Sequence, residues 1–139
     1  MGIFYEVQGS MKVKDTRKTR KLLAELNDNL GEIDSEVVDN DDKTFTVNIN
    51  GGMFCSYSTA EEVDTFIKAF GPHVVEVGYF DTCCENNEHS DLWVGKPDEV
   101  EKAIRASKVE TARQAIKALT EEEWEALHDE VTDAHFWIG

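Results

Sequence analysis

From Ile3 to Val13 every odd position is apolar or small (Ile3, Tyr5, Val7, Gly9, Met11, Val13), and the even positions after Phe4 are polar (Glu6, Gln8, Ser10, Lys12). That alternation predicts a long strand with one buried and one wet face. At ~3.3 Å per residue it would reach on the order of 35 Å, long enough to floor the core from inside a sheet. Gly9, within the buried set, marks a bend, a bulge or the close approach of a helix. Next, Asp15 or Thr16 caps a helix running to about Leu30, with Leu22, Leu23, Leu26 and Leu30 at helical spacing and Gly31 as the stop. Glu32 to Asn40 reads as a second strand with Ile33 and Val37 inward, followed by a turn at Asn40-Asp41-Asp42-Lys43. Thr44 to Asn50 is a third strand, with Phe45, Val47 and Ile49 on one face. Asn50-Gly51 is a tight-turn dipeptide, read as a hairpin into Met53–Tyr57 in preference to a glycine bulge in one bent strand.

Thr59-Ala60-Glu61-Glu62 forms a capping box, opening a helix whose stripe is Val63, Phe66, Ile67 and Phe70; Gly71-Pro72 ends it. His73 to Phe80 reads as an interior strand, with Val75, Val77 and Tyr79 on one face and Val74 and Phe80 on the other. Asp81 to Asp91 is then the polar loop of a long hairpin that returns through Leu92-Trp93-Val94-Gly95. Pro97 fits the first turn of a further helix, with Val100, Ala103 and Ile104 inward. A break near Ser107 would separate it from Val109–Leu119, where Ala112, Ala115, Ile116 and Leu119 make a modest stripe. Thr120-Glu121-Glu122-Glu123 is a second capping box, before a last helix with Trp124, Leu127 and Val131 inward. The tail His135-Phe136-Trp137-Ile138 is too apolar to dangle, so it docks on the body or joins a second copy as a homodimer. Neither internal repeats nor a linker is visible.

The expected fold is α+β in one domain, residues 1–139: a sheet core over 1–95 and a helical extension over 96–139. The order strand, helix, strand, strand, helix, strand corresponds to a ferredoxin-like split βαβ antiparallel sheet, here with a C-terminal hairpin strand and two to three extra helices. Both early helices cover one sheet face. The other is solvated or covered by the C-terminal helices.

Composition adds little about the fold and more about partners. No run approaches the ~20 apolar residues of a membrane span, and no signal-type apolar segment opens the chain. Three irregularly placed cysteines (Cys55, Cys83, Cys84) suit a reduced, cytoplasmic setting. The net charge is −15. Up to Leu30, six basic residues (Lys12, Lys14, Arg17, Lys18, Arg20, Lys21) face four acidic ones; from Gly31 onward the balance is 25 acidic to 8 basic. The basic cluster opposes the dipole of its helix, which points to an acidic neighbour or simply a solvated face. The acidic remainder disfavours direct contact with nucleic acid or an anionic membrane and favours a basic protein partner. A solubilising coat is the plainer alternative.

Candidate chemistry is thin. Cys83, Cys84 and His89, with Asp81, Glu85, Glu88 and Asp91 nearby, are the best metal candidates, but adjacent cysteines point apart and rarely chelate one ion. No metal or other cofactor is expected. Ser56 and Ser58 lack a nucleophile elbow, and Gly51-Gly52 lacks the lysine of a phosphate loop. Phe4, Tyr5, Trp93 and Trp137 read first as core, and of these only Trp137 also as a contact residue. What remains is rows of carboxylates spaced like phosphates: Glu32, Asp34, Glu36, Asp39, Asp41 and Asp42; Asp98, Glu99 and Glu101; and Glu121, Glu122, Glu125, Asp129 and Asp133. Such rows could fill a nucleic-acid-binding groove and release its counterions. The expected function is therefore a non-enzymatic acidic inhibitor. The alternatives are an immunity or adaptor protein for a basic toxin, and a small metal- or thiol-dependent enzyme centred on Cys83 and Cys84.

The opening Met1-Gly2-Ile3-Phe4-Tyr5, the split βαβ order, and the stretch Glu76 to Trp93 (strand, polar loop, Asp-x-Trp) together resemble small acidic accessory proteins of phages and mobile elements. The resemblance covers about two thirds of the chain and implies an anti-defence or immunity role. It assigns no site residues.

Overall fold

The computed structural model describes residues 2–84 and 88–133, the side chains of 131–133 excepted. The elements follow the order β1 (Ile3–Lys14), α1 (Arg17–Leu30), β2 (Asp34–Asp39), β3 (Thr44–Cys55), α2 (Tyr57–Lys68), β4 (Gly78–Cys84), β5 (Glu88–Val94), α3 (Pro97–Lys117) and α4 (Glu121–Asp133). The protein is α+β, with one five-stranded antiparallel sheet ordered β2-β3-β1-β4-β5 and four helices. The fifth strand extends this order beyond a simple split βαβ unit. Two compact units divide the chain, Met1–Glu101 and Lys102–Gly139, with the boundary inside α3.

In the first unit β1 is the central strand, and its alternation holds: Ile3, Tyr5, Val7, Met11 and Val13 are buried, while Glu6, Gln8, Ser10 and Lys14 are exposed. Leu23, Leu26 and Leu30 of α1 and Val63 and Ile67 of α2 join the same core cluster, so both helices pack on the odd face of β1. Phe45, Val47 and Ile49 of β3, Phe80 of β4, and Leu92 and Val94 of β5 complete it. Thr16 caps α1 in a reciprocal box with Thr19, and Gly31, at φ 57°, ends it.

Several expectations need correction. No hairpin forms at Asn50-Gly51. β3 runs through both glycines, and its pairing with β1 is unbroken from Ile3↔Cys55 to Lys14↔Thr44. Twelve residues of β1 offer a ladder to the whole of β3, and the glycines serve close approach rather than reversal. A Cβ on Gly52 would lie 2.8 Å from both Glu6 Cγ and Phe4 Cζ. At Gly9 the neighbour is a strand, not a helix: a Cβ there would sit 2.6 Å from Phe80 Cα and 2.8 Å from its ring. The α2 cap is Ser56, whose hydroxyl accepts from Thr59 N, so the helix begins before the expected Thr59 box.

β4 starts at Gly78 rather than His73; Val74 makes only an isolated bridge to Val13. The expected Asp81–Asp91 loop is largely strand, with Asp81↔Asp91, Thr82↔Ser90 and Cys83↔His89 paired. Its polar residues are tolerated because Asp81, Cys83, His89 and Asp91 fall on the solvent face. Thr82, buried on the other, donates its hydroxyl to Ser90 O at 3.2 Å. α3 shows no break at Ser107, since neither glycine nor proline interrupts it. Val100, Ala103 and Ile104 are half-buried, but Ala112, Ala115 and Ile116 are exposed, as are Trp124 and Leu127 of α4. Trp124 and Leu127, expected inward, are thus exposed among the described residues. The side chain of Val131 and the tail His135–Ile138 lie outside the described residues.

Candidate functional site

The carboxylate rows do not survive equally. On β2 the side chains alternate, so Asp34 and Glu36 share the open sheet face with Asn50 and Asn48, their partners on β3. Asp39 falls on the opposite face, where Arg20 of α1 binds it at 2.6 Å while also binding Asp15 at 2.8 Å. The same guanidinium sits 4.4 Å from the ring centre of Phe45. Lys12 binds Asp42 at 2.9 Å. Part of the basic cluster therefore pairs with the chain's own acids. The Arg20 hydrogen bonds hold Asp15 below the usual carboxylate range, and Lys12, then Thr44, do the same for Asp42. Asp39 and Asp42 are thereby engaged within the chain, and Glu32, Asp34, Glu36 and Asp41 remain the exposed acids of this row.

Asp98, Glu99 and Glu101 are exposed in the first turns of α3, where carboxylates suit the helix dipole. In α4, Thr120 and Glu123 close the capping box in both directions, at 3.2 and 2.9 Å. The carboxylate of Glu123 is pulled down by the backbone N–H of Thr120 and then by its hydroxyl. At about 100° per residue, Trp124 and Leu127 lie on one side of α4, and Glu122, Glu125 and Asp129 cluster on the other. All three acids are exposed, and none pairs with a lysine or arginine among the described residues. Asp133 continues that row by position; its side chain lies outside the described residues.

The sheet face opposite α1 and α2 is a second candidate, hidden in the sequence because Asp81–Asp91 has the composition of a loop. Phe54, 78% exposed, packs edge-on against Phe4, and Tyr79 stacks on Trp93. Phe4 and Trp93 are thus half-buried surface residues rather than core, whereas Tyr5 is core. Between the two aromatic pairs, where Gly51 and Gly52 remove side chains, lies a recess of about 310 Å³ lined by Glu6, Gln8, Asn50, Asp81, Cys83 and His89 among others. Asp81 and Asp91 face each other as like charges across the β4–β5 ladder, which costs stability. His89 Nδ1, 3.1 Å from Asp81, and the Tyr79 hydroxyl, donating to Asp91 at 2.6 Å, offset that repulsion.

Cys83, His89 and Asp81 share this face, but they are poorly arranged for nucleophilic chemistry. Desolvation, then Glu6 and Asp81, push the Cys83 thiol up, and it donates to the Cys84 carbonyl at 3.3 Å. A thiol kept protonated by neighbouring carboxylates is a weak nucleophile. Among the described residues no three His, Cys, Asp or Glu side chains converge as metal ligands; Glu85 lies outside them.

One buried polar pair also escaped the sequence. Tyr5 of β1 donates its hydroxyl to Asp64 of α2. Burial, then the Asp64 hydrogen bond, raise the Tyr5 phenol, and burial raises Asp64 despite that hydrogen bond. The pair ties α2 to the sheet.

No helix among the described residues is long and apolar enough to cross a membrane. No family model, curated protein or solved structure matches the chain.

Proposed function

We propose that this chain is a non-enzymatic acidic inhibitor of the phage anti-defence kind, which occupies the nucleic-acid-binding surface of a basic host protein or defence complex. The observation that carries this reading is the outer row of α4. Glu122, Glu125 and Asp129 form one exposed carboxylate face without a paired lysine or arginine among the described residues. Carboxylates four residues apart on a helix stand about 6 Å apart along its axis, comparable to phosphates along a strand. A groove that holds phosphates would accept them, with the same release of counterions. The exposed acids at the start of α3 (Asp98, Glu99, Glu101) and of the β2 region (Glu32, Asp34, Glu36, Asp41) add to the negative charge of the chain.

The order of the first four strands, β2-β3-β1-β4, supports reading the sheet as a ferredoxin-like core extended by β5. Unpaired Cys55, Cys83 and Cys84 support work in a reducing cytoplasm. A second reading, an adaptor or immunity protein without nucleic-acid mimicry, draws on the open sheet face, which carries exposed Phe54 as well as Glu6, Asp34, Glu36 and Asp81. Competition separates the two. With the basic partner captured from the host, the inhibitor reading requires that duplex DNA or RNA and this protein exclude each other. Simultaneous binding of both would favour the adaptor and defeat the mimic.

A further inference from the structure

The C-terminal unit carries an opposition of charge that the overall acidity conceals. Over 102–117, α3 holds five basic residues (Lys102, Arg105, Lys108, Arg113, Lys117) against one acid, Glu110. Over 121–133, α4 holds seven acids and no lysine or arginine. α3 also bears a narrow apolar stripe spaced by three and four residues (Val109, Ala112, Ile116), and α4 bears the apolar pair Trp124 and Leu127 three residues apart. Stripes of that spacing are the seams along which helices pair. Among the described residues these positions are exposed: Val109 52%, Ile116 41%, Trp124 40% and Leu127 41%.

The charges flank the seams. At about 100° per residue Arg105 continues the α3 stripe, and Lys102 and Lys108 stand beside it. None of the three has an acidic partner among the described residues, whereas Arg113 is bound to Glu110 at 2.8 Å. On α4, Glu123 and Glu130 border the Trp124–Leu127 stripe on one side, and Glu121 borders it on the other, next to Glu125.

We propose that these two helices form a self-association surface, in which the basic α3 stripe of one copy packs on the acidic α4 stripe of a second copy and the reverse. One chain carries both halves of the complementarity, so a two-fold pair satisfies both at once, as an isologous interface requires. Apolar seams supply the attraction, and the flanking charges fix which helix meets which. The net charge of −15 per chain opposes approach. That long-range repulsion is screened beyond about 8 Å at physiological ionic strength, while the flanking pairs act at contact. This surface does not depend on the inhibitor reading, because its seam, Trp124 and Leu127, lies on the opposite side of α4 from Glu122, Glu125 and Asp129.

Sedimentation velocity of the full chain over a concentration series, at physiological ionic strength, tests the proposal. The wild type should move from one chain mass to two as concentration rises. Two charge-reversed chains, R105E/K108E and E121K/E130K, should each stay at one chain mass, because the reversed charges beside one seam then meet flanking charges of their own sign beside the other. Mixed in equal amounts, they should recover the two-chain species. L127Q, which removes the centre of the α4 seam, should also remain at one chain mass, and it serves if a charge-reversed pair loses helix by circular dichroism. A wild type that stays monomeric throughout would overturn the proposal. So would reversed chains that associate as well as the wild type, or a mixture that does not recover the two-chain species, as when α3 closes on α4 of its own chain.

Discussion

Replacing Gly9 by alanine puts the packing of the central strand to a quantitative test. In the interior of a strand, glycine is ordinarily worse than alanine by roughly 0.5–1 kcal/mol, so propensity alone expects a more stable protein. The structure reverses the sign. A Cβ at Gly9 would stand 2.6 Å from Phe80 Cα and 2.8 Å from Phe80 Cδ1, and the first of these is backbone that cannot rotate away. The β1–β4 ladder, Glu6↔Cys83 to Ser10↔Tyr79, would have to part locally. Overpacking of this kind costs about 1–3 kcal/mol, which outweighs the propensity gain and leaves a net loss of about 1–2 kcal/mol. Gly2→Ala is the control, because its Cβ would meet only Cys55 O, at an ordinary 3.7 Å. Urea unfolding followed through the protected amides of β1 should show a lower midpoint at unchanged slope for Gly9→Ala, and little change for Gly2→Ala. A Gly9→Ala protein as stable as the wild type, or more so, would refute this reading of the strand contact.

Asp64 should make the protein less stable as pH rises. Burial lifts its folded carboxyl above the ordinary 3.8, so the native state holds this proton more tightly than the unfolded chain. Stability contributed here is full below 3.8, falls as pH climbs through the raised value, and is then level. Asp64→Asn, which keeps an acceptor for the Tyr5 hydroxyl, should remove that slope; a wild type that gains stability over this window relative to the variant would contradict it. Cys83 should alkylate more slowly at neutral pH than a free cysteine, because its thiol is pushed up, and Cys83→Ser should leave partner binding intact. Faster alkylation, or binding lost on that substitution, would return the thiol to consideration as a functional group.

The sequence was most legible where a local pattern and its tertiary use coincide. Alternation in β1 located the central strand, because a strand buried on one face must alternate. The stripes Leu23–Leu26–Leu30 and Val63–Ile67–Phe70 located α1 and α2, and Thr120 with Glu123 located the start of α4. Legibility failed where a local signal had two physical uses. Asn50-Gly51 has turn chemistry, yet here Gly51 admits the start of β2 and Gly52 after it admits Phe4. Asp81–Asp91 has loop composition, yet alternate residues of a strand on an open face may all be polar, and only pairing with β1 distinguishes the two. Apolar spacing in α4 correctly signalled a helix but not what covers it, because a seam that faces a second molecule has the same period as one that faces the core. Cross-strand neighbours such as Cys83 and His89, and the Tyr5–Asp64 pair, depend on register and were invisible for that reason.

The central claim is that the outer carboxylates of α4 dock on a basic, nucleic-acid-binding partner. Individually such exposed charges contribute under about 1 kcal/mol, so single substitutions are uninformative. The most direct measurement is the affinity of the captured partner across a salt series for three proteins: the wild type, E122K/E125K/D129K, and a matched reversal E32K/D34K/E36K on the β2 side. The wild type should lose affinity steeply with salt, chiefly through slower association. The α4 reversal should bind far more weakly with a shallower salt slope, and the β2 reversal should fall between. Affinity insensitive to salt, with both reversals binding like the wild type, would contradict the claim and leave the acidity as a solubilising coat.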